Sequence, residues 1–240
     1  MEMKSAGLAI LGTDTDIGKT YVACRIIESL VRDGVAVGAY KPVASGAPSL
    51  DQSDGFKLWQ ASGQRGLLVE VTPQHFLAPF APPIAAEMEN KQVSDKAILI
   101  GARNWASRCD ILILEGAGGL MSPLSWTMTN ASLAIELQIP IVLVSENRLG
   151  VVNQVLTTLV AARSLGLCVS CIVLNDVHVS TEISANSNAR LLRNFIEKYP
   201  NPPLITRLEH ESNCFQPTVR WIELASTSLR DELNGRSPAQ

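Results

Sequence analysis

The sequence has few of the features that mark nucleic-acid-binding, secreted or membrane proteins. Its 240 residues carry 20 lysines and arginines against 23 aspartates and glutamates, which gives a formal net charge of −3. This balance provides no basic surface for nucleic acid or an anionic membrane. The longest apolar runs, such as Ile139–Val144, fall far short of the ~20 residues that a membrane helix needs. Residues 1–6 show no secretory pattern, so we expect a cytoplasmic protein with no nucleic-acid or membrane partner.

Residues that bind transition metals are also scarce, with three histidines and five cysteines in the chain. Cys168 and Cys171 are spaced as C-x-x-C, but residues 167–175 read as a buried strand, where residues three apart face opposite sides. The histidines are not spaced with cysteines or carboxylates as transition-metal ligands are. We therefore expect free thiols in a reducing compartment and no transition-metal site.

The most informative segment is Gly-Thr-Asp-Thr-Asp-Ile-Gly-Lys-Thr at residues 12–20. An apolar stretch precedes it and a helical pattern follows, which is the order of a phosphate-binding loop. Backbone N–H groups around Gly18 would favour an anion, Lys19 would reach the terminal phosphates, and Thr20 would offer a hydroxyl to magnesium. Five residues separate Gly12 from Gly18, one more than in common ATPases. The alternative, an accidental Gly-Lys-Thr, leaves the order of strand, loop and helix unexplained.

Strand and helix patterns alternate along the chain. Apolar runs predict strands at 7–11, 35–40, 111–114, 139–144 and 169–174, with a short strand near Leu204. Helical patterns predict helices at 19–33, 84–89, 94–107, 130–138, 151–165 and 189–199, with a short helix through Trp59. The proline-rich residues 72–83 are predicted to be an irregular connection. We predict an α/β, single-domain P-loop NTPase fold over residues 1–233, with a mostly parallel sheet, helices on both faces and a disordered tail at 234–240.

Charged residues follow the predicted strands at the edge where ligands gather in open α/β sheets. Glu115 ends an apolar strand, which favours a magnesium ligand; hydrogen bonds that anchor the loop are the alternative. Asp54 is either a second oxygen ligand or the N-cap of a helix. Lys41 either stabilises charge on a transferring phosphoryl group or carbonyl oxygen, or it is a solvated loop lysine.

Two further segments are open to two interpretations each. Asn175-Asp176 follows a buried strand and either hydrogen-bonds a purine base or forms a turn. Gly150 precedes an apolar helix with Asn153 in its first turn. This helix start either binds a carboxylate or simply initiates the helix.

Five segments resemble the dethiobiotin synthetase family in order and spacing: GTDTDIGKT, KPVASG, the SD of residues 53–54, LEGAGG and LND. The match covers roughly residues 7 to 176, and the lengthened phosphate loop is the form this family shows. The resemblance implies an ATP-dependent ring closure in biotin synthesis. One amine of 7,8-diaminononanoate takes up CO2 as a carbamate, ATP phosphorylates the carbamate, and the second amine displaces phosphate to give the cyclic urea of dethiobiotin.

The resemblance also implies a role for each matching residue. Lys41 and Lys19 would be catalytic, and Thr20, Asp54 and Glu115 would hold Mg²⁺. The residues that would bind ATP are Asp16, Ile17, Gly18, Lys19, Thr20, Tyr21, Asp54, Glu115, Gly116, Ala117, Gly118, Asn175 and Asp176. The residues that would bind the substrate are Thr15, Ser45, Gly150, Val151, Val152 and Asn153. The last four would come from the partner subunit of a homodimer.

The sequence departs from the family pattern after residue 177. Residues 178–188 lack the tyrosine that members often use for the substrate tail. Thr206-Arg207 stands where the family usually has a proline-containing adenine loop. These departures concern nucleotide selectivity and tail recognition, and they leave the reaction class unaffected.

Three other functions are disfavoured by specific residues. ATP-driven switches that partition DNA or position division machinery carry a second lysine early in the loop, where this chain has Asp14. Amide-forming synthetases of cobalamin synthesis use a fused glutaminase, for which the sequence shows no cysteine nucleophile motif. A pure binding module or an inactive paralogue is disfavoured because the polar set is intact, namely Lys19, Thr20, Lys41, Asp54 and Glu115.

Overall fold

The computed structural model describes residues 6–178 and 183–226. Its strands are β1 (Ala6–Gly12), β2 (Val37–Tyr40), β3 (Val43–Ser45), β4 (Gln74–Phe76), β5 (Ile111–Gly119), β6 (Ile141–Glu146), β7 (Val169–Asn175), β8 (Leu204–Leu208) and β9 (Phe215–Gln216). Its helices are α1 (Lys19–Arg32), α2 (Asp54–Ala61), α3 (Leu68–Val71), α4 (Pro82–Met88), α5 (Asp95–Ala106), α6 (Asn130–Leu137), α7 (Val151–Ser164), α8 (Ile183–Ile196) and α9 (Trp221–Ser226), with a 3₁₀ turn at Leu50–Gln52.

Seven strands form one sheet in the order β2-β5-β1-β6-β7-β8-β9. The neighbours pair in parallel except for β8 and β9, which are antiparallel. The connection from β1 to β2 moves toward one edge, whereas the connections that follow move toward the other. Because such crossovers are right-handed, α1 lies on one face and α5 to α8 on the opposite face. The predicted parallel α/β fold is confirmed.

The reversal of direction places a crevice beyond the carboxyl end of β1, where open α/β sheets bind ligands. The strands beside it are apolar on both faces, as the continuous run Ile111–Leu114 predicts for a strand covered by helices on both sides. Leu8, Ile10, Leu112 and Ile113 are completely buried. The sheet centre is therefore a rigid base from which the loops at its carboxyl edge project.

Between β2 and β3 the chain leaves regular structure at Lys41 and Pro42, and β3 then pairs with β4 in a separate two-stranded parallel sheet. Two local predictions differ from the structure in part. Residues 72–83, predicted to be irregular, supply β4 and the start of α4. The helix predicted at 189–199 is α8, which begins at Ile183 and ends at Ile196. The predicted tail at 234–240 lies outside the described residues.

The two cysteines of the C-x-x-C spacing are both buried. Cys171 lies inside β7, whereas Cys168 precedes the strand. Burial raises the pKa of the Cys171 thiol to about 12, so this thiol stays protonated and unreactive near neutral pH. Of the helices in the described ranges, none has the length and apolar character needed to cross a membrane.

Candidate active site

Residues 12–20 form the loop that joins β1 to α1. Gly18 is the N-cap of α1 and has a left-handed φ of 81°. The Asn175 side chain packs against this turn and donates from Nδ2 to the Ile17 carbonyl oxygen at 3.0 Å. A Cβ atom at position 18 would lie 2.2 Å from that nitrogen. Both the dihedral angle and the contact therefore require glycine.

Lys19 folds back over the loop. Its Nζ donates to the Asp14 carbonyl oxygen at 2.8 Å, and the residue is 8% exposed. Burial, together with the nearby Lys41 charge, lowers the pKa of Lys19. A cation held this way, at the N-terminus of α1, is placed to donate to a phosphate.

Lys41 and Glu115 meet because their strands are paired in register. Tyr40 of β2 lies beside Leu114 of β5, so the following residues emerge together at the carboxyl edge. Lys41 Nζ is 2.6 Å from Glu115 Oε1 and donates to the Gly116 carbonyl oxygen at 3.1 Å. Both side chains are buried, so Lys41 and Glu115 form a buried ion pair.

The same Glu115 oxygen accepts a hydrogen bond from the phosphate loop. Thr20 Oγ1 donates to Glu115 Oε1 at 2.8 Å. Asp54 closes the group from the other side, with Oδ2 at 3.8 Å from Lys41 Nζ. Four residues from four separate segments therefore converge at one point, as the sequence prediction requires.

The N-cap interpretation of Asp54 is wrong. Ser53 caps α2, because its hydroxyl oxygen accepts from the Phe56 N–H, and Asp54 is the first residue of the helix. Asp54 Oδ1 instead accepts from Lys57 Nζ at 3.2 Å. The Asp54 carboxylate thus points toward the lysines of the cleft.

Charges in this group fix one another's ionisation. Burial alone would lower the pKa of Lys41, but the Glu115 and Asp54 carboxylates raise it. Burial would raise the pKa of Asp54, but Lys41 and Lys57 hold it below its ordinary value. Lys41 is therefore a cation and Asp54 an anion across the physiological pH range.

Glu115 carries the feature that points to a metal ion. Its Oε2 atom is buried and has no hydrogen-bond partner among the described residues. A buried carboxylate oxygen without a partner is costly unless a ligand uses it. In the described part of the chain, no three histidine, cysteine or acidic side chains converge. A donor set of two carboxylates and the Thr20 hydroxyl suits Mg²⁺, which keeps waters and substrate phosphates in its shell.

The glycine-rich end of β5 is held in place by a buried asparagine, Asn130, that sequence reasoning missed. Asn130 Nδ2 donates to the carbonyl oxygens of Ala117 and Gly119, each at 2.7 Å. Its Oδ1 accepts from the Ala117 N–H at 3.3 Å. The sequence indicated only that Asn130 starts an apolar helix, and it gave no indication of these hydrogen bonds.

A cleft of about 630 Å³ opens at this edge of the sheet. Most of the predicted site residues line it, namely Thr15, Asp16, Gly18, Lys19, Thr20, Tyr21, Lys41, Ser45, Asp54, Glu115, Ala117 and Gly118. Lys57 lines it as well and was not predicted. It stands three residues after Asp54, a helical spacing that would have indicated the contact.

The other predicted site residues lie outside the cleft wall. Ile17, Gly116 and Asn175 are buried directly behind it. Gly150–Asn153 form the first turn of α7, where Asn153 is exposed and Gly150 has a left-handed φ of 93°. This turn does not line the cleft of its own chain.

Thr206 and Arg207 are strand residues and do not form a loop. Both lie inside β8, where they pair with Val173 and Leu174 of β7. Thr206 is buried and donates to the Pro217 carbonyl oxygen at 2.7 Å. The loop after β8 approaches α1 instead, where Tyr21 Oη donates to the Ser212 carbonyl oxygen at 2.8 Å.

Comparison with known proteins agrees with this geometry. A family model described as an AAA domain matches residues 6–218. The ATP-dependent dethiobiotin synthetase BioD of Caulobacter vibrioides (strain NA1000 / CB15N) is 38% identical over 180 residues, which cover 72% of this chain and 80% of the relative. The protein of the same name from Anaeromyxobacter sp. (strain Fw109-5) is 34% identical over 230 residues, 96% of this chain and 98% of the relative.

Among solved structures, the signal recognition particle receptor FtsY from Elizabethkingia anophelis, in complex with GDP, superposes with a TM-score of 0.53. It is 14% identical, and the match covers 99% of this chain and 65% of that chain. A likeness at this identity concerns the fold alone, and it supports the P-loop NTPase architecture. The sequence identity to curated synthetases decides the family: the chain belongs to the ATP-dependent dethiobiotin synthetases.

Proposed function

We propose that the cleft beside the phosphate loop closes the ureido ring of dethiobiotin. The substrates are 7,8-diaminononanoate, CO2 and ATP. A carbamate oxygen of the carboxylated diamine attacks the γ-phosphorus of ATP, and ADP leaves. The second amine then attacks the carbonyl carbon of the mixed anhydride, the nitrogen loses its proton, and phosphate leaves. The observation that carries this proposal is the convergence of Lys19, Lys41, Asp54 and Glu115 at one edge of the sheet.

ATP binding is assigned to the loop and the first turn of α1. The N–H groups of Gly18, Lys19 and Thr20 present partial positive charge to the phosphates. Lys19 already points over the loop, since its Nζ bonds the Asp14 carbonyl oxygen at 2.8 Å. On ATP binding, Lys19 exchanges this neutral acceptor for phosphate oxygens, which form the stronger charge-assisted bond.

Lys41 is assigned to the transferring phosphoryl group. Its ammonium is fixed by Glu115 at 2.6 Å and by the Gly116 carbonyl, so little reorganisation is needed when negative charge develops beside it. Thr20, Asp54 and Glu115 would hold Mg²⁺, which when bound neutralises charge on the β- and γ-phosphates. The mixed anhydride would hydrolyse in water, so the reaction also requires that water be excluded from the cleft when the substrates are bound.

Substrate contacts are assigned to two places. Thr15 and Ser45 line the cleft and would face the reacting end of the diamine. Gly150–Asn153 lie outside that wall and form the first turn of a 14-residue helix, with an exposed side-chain amide at Asn153. Such a helix start favours a carboxylate. We therefore assign this turn to the diamine carboxylate of a site completed by a second copy, in a cytoplasmic homodimer whose synthetase domain spans residues 1–233.

The decisive experiment is a reconstitution with purified protein. Incubation with the diamine, ATP, Mg²⁺ and labelled bicarbonate is expected to give labelled dethiobiotin, detected by mass spectrometry, together with one ADP per product. Omission of the diamine or of ATP should abolish the label. ATP hydrolysis that is independent of the diamine, without labelled product, would overturn the proposal.

The assignment of α7 is tested by Asn153→Ala. Loss of one hydrogen bond to a charged group, about 1.5–3 kcal/mol, should raise the KM for the diamine about 10- to 100-fold with little change in the KM for ATP. Asn104→Ala, on the exposed face of α5, is the matched control. An unchanged diamine KM would remove Asn153 from the site. If the site is shared, mixing Asn153→Ala and Lys41→Gln subunits should restore part of the activity.

A further inference from the structure

Asp176, at the end of β7, has a carboxylate that is fully engaged away from the cleft. Its Oδ2 accepts from Arg207 Nε at 2.7 Å and from Arg207 Nη2 at 2.6 Å. Its Oδ1 accepts from Asn147 Nδ2 at 2.7 Å. The Asp176 side chain is 4% exposed. Two Arg207 nitrogens therefore bond one oxygen of a buried carboxylate, and the other oxygen is bonded by Asn147. Charge-assisted bonds of this kind hold the carboxylate in a fixed orientation, and both of its oxygens already have a protein partner.

The hydrogen bonds continue from Asn147 to α8. Asn147 Oδ1 accepts from Asn188 Nδ2 at 3.0 Å, and the same nitrogen donates to the Arg148 carbonyl oxygen at 3.3 Å. Asn147 and Asn188 are each 4% exposed. The hydrogen-bonded series Arg207–Asp176–Asn147–Asn188 is here called the polar relay. It links β8 and α8 to the residues that follow β7 and β6, and all its members but Arg207 are buried.

The polar relay ends next to the turn assigned to the substrate. Arg148 is two residues before Gly150, the N-cap of α7. Asn147 is also fixed through its backbone, because its N–H donates to the Asn175 carbonyl oxygen at 2.8 Å. The short segment 147–150 is therefore held by the polar relay at one end and enters α7 at the other.

Asn175, the residue before Asp176, contacts the phosphate loop. Asn175 donates to the Ile17 carbonyl oxygen at 3.0 Å, whereas Asp176, the next residue, enters the polar relay. Two adjacent side chains thus link β7 to the phosphate loop and to the segment before α7. A shift of Asp176 would displace these two regions relative to each other.

We propose that Asp176 and Arg207 are positioning residues, which set the start of α7 for the substrate carboxylate through the polar relay. This inference rests on the proposed role of Gly150–Asn153 in substrate binding. It assigns Asp176 a structural coupling role and leaves only Asn175 as a candidate base contact. It also gives Arg207 a positioning function, at a place where the family usually has a proline-containing adenine loop.

The test uses Asp176→Asn in the full-length enzyme. This change keeps the shape of the side chain but removes the charge that holds Arg207. Hydrogen exchange of the backbone amides of residues 147–153 is expected to accelerate about 10-fold or more, because the polar relay no longer holds that segment. The KM for the diamine should rise about 10-fold, with the KM for ATP within about 2-fold of wild type. Arg207→Lys should recover part of the loss caused by Arg207→Met.

Glu70→Gln is the matched control, since it breaks an arginine–carboxylate pair of 2.9 Å, with Arg108, away from the cleft. It should change neither KM nor exchange at 147–153. If Asp176→Asn does not fold, Asn188→Ala breaks the far end of the polar relay and leaves the ion pair intact, and the same segment should exchange faster.

Several results would overturn the inference. Unchanged exchange at 147–153 would do so, as would a raised ATP KM with a normal diamine KM, which would make Asp176 a base contact. If the wild-type enzyme forms no dethiobiotin, the proposed function fails, but hydrogen exchange still decides whether the polar relay positions α7.

Discussion

Lys41→Gln is expected to lower kcat about 10²- to 10³-fold while the KM for ATP stays within about 3-fold of wild type. The physical reason is that Lys41 does not face the phosphates as a binding group in the resting enzyme. It is held between Glu115 and the Gly116 carbonyl, and the role proposed for it is to stabilise the charge that develops during phosphoryl transfer. Single-turnover kinetics with labelled ATP would separate the chemical step from nucleotide binding.

Lys57→Gln is the matched control for this experiment. Lys57 also pairs with Asp54, at 3.2 Å, but its side chain is 59% exposed. An exposed pair of this kind contributes little, so we expect less than about a 3-fold change in kcat. Thermal unfolding must be measured beside the kinetics, because Lys41→Gln leaves Glu115 without its cation. Equal losses in the two variants would show that Lys41 contributes no more than an exposed positive charge near Asp54 does, and would remove its specific role from the mechanism.

Glu115→Gln is expected to raise the Mg²⁺ concentration for half-maximal activity about 10- to 100-fold, the range seen when a group that supports a metal site is changed. The amide keeps the size of the side chain but removes the charge from Oε2, the buried oxygen that has no hydrogen-bond partner among the described residues. It also removes the anion that raises the pKa of Lys41. Both effects lower kcat/KM at any fixed Mg²⁺ concentration.

The measurement for Glu115 is a Mg²⁺ titration of activity, together with direct binding of Mn²⁺ in the presence of ATP, followed by electron paramagnetic resonance. Glu70→Gln again serves as control and should titrate as wild type. A Mg²⁺ titration that superimposes on wild type after Glu115→Gln, despite lower activity, would mean that Glu115 acts only by orienting Lys41.

The parts of the fold that the sequence predicted are those in which local pattern and tertiary packing agree. The apolar run at Ile111–Leu114 is typical of a strand covered on both faces. The loop at 12–20 follows a known motif, and its left-handed φ angles lie at Asp16 and Gly18. Because parallel strands end at one edge, the meeting of Lys41 and Glu115 was also predictable. These predictions assumed only a parallel sheet with the strand order usual for an open α/β fold.

The remaining features depend on contacts between distant segments. Residues 74–76 pair with β3 although prolines surround them, so tertiary pairing overrides the local breaker signal. Asp176 and Arg207 are 31 residues apart, and nothing near either residue indicates that they form a buried pair. Asn147 and Asn188 looked like ordinary polar residues, since a single sequence does not show which amides face one another.

The charges that line the cleft have one more consequence. Three lysines, at 19, 41 and 57, stand against three acidic residues, Asp16, Asp54 and Glu115. Without bound ligands, the charges that line the cleft therefore sum to zero, and they exert little long-range attraction on an approaching nucleotide. The cleft charges themselves should then make the rate of ATP capture depend little on ionic strength, because they present no net charge for salt to screen.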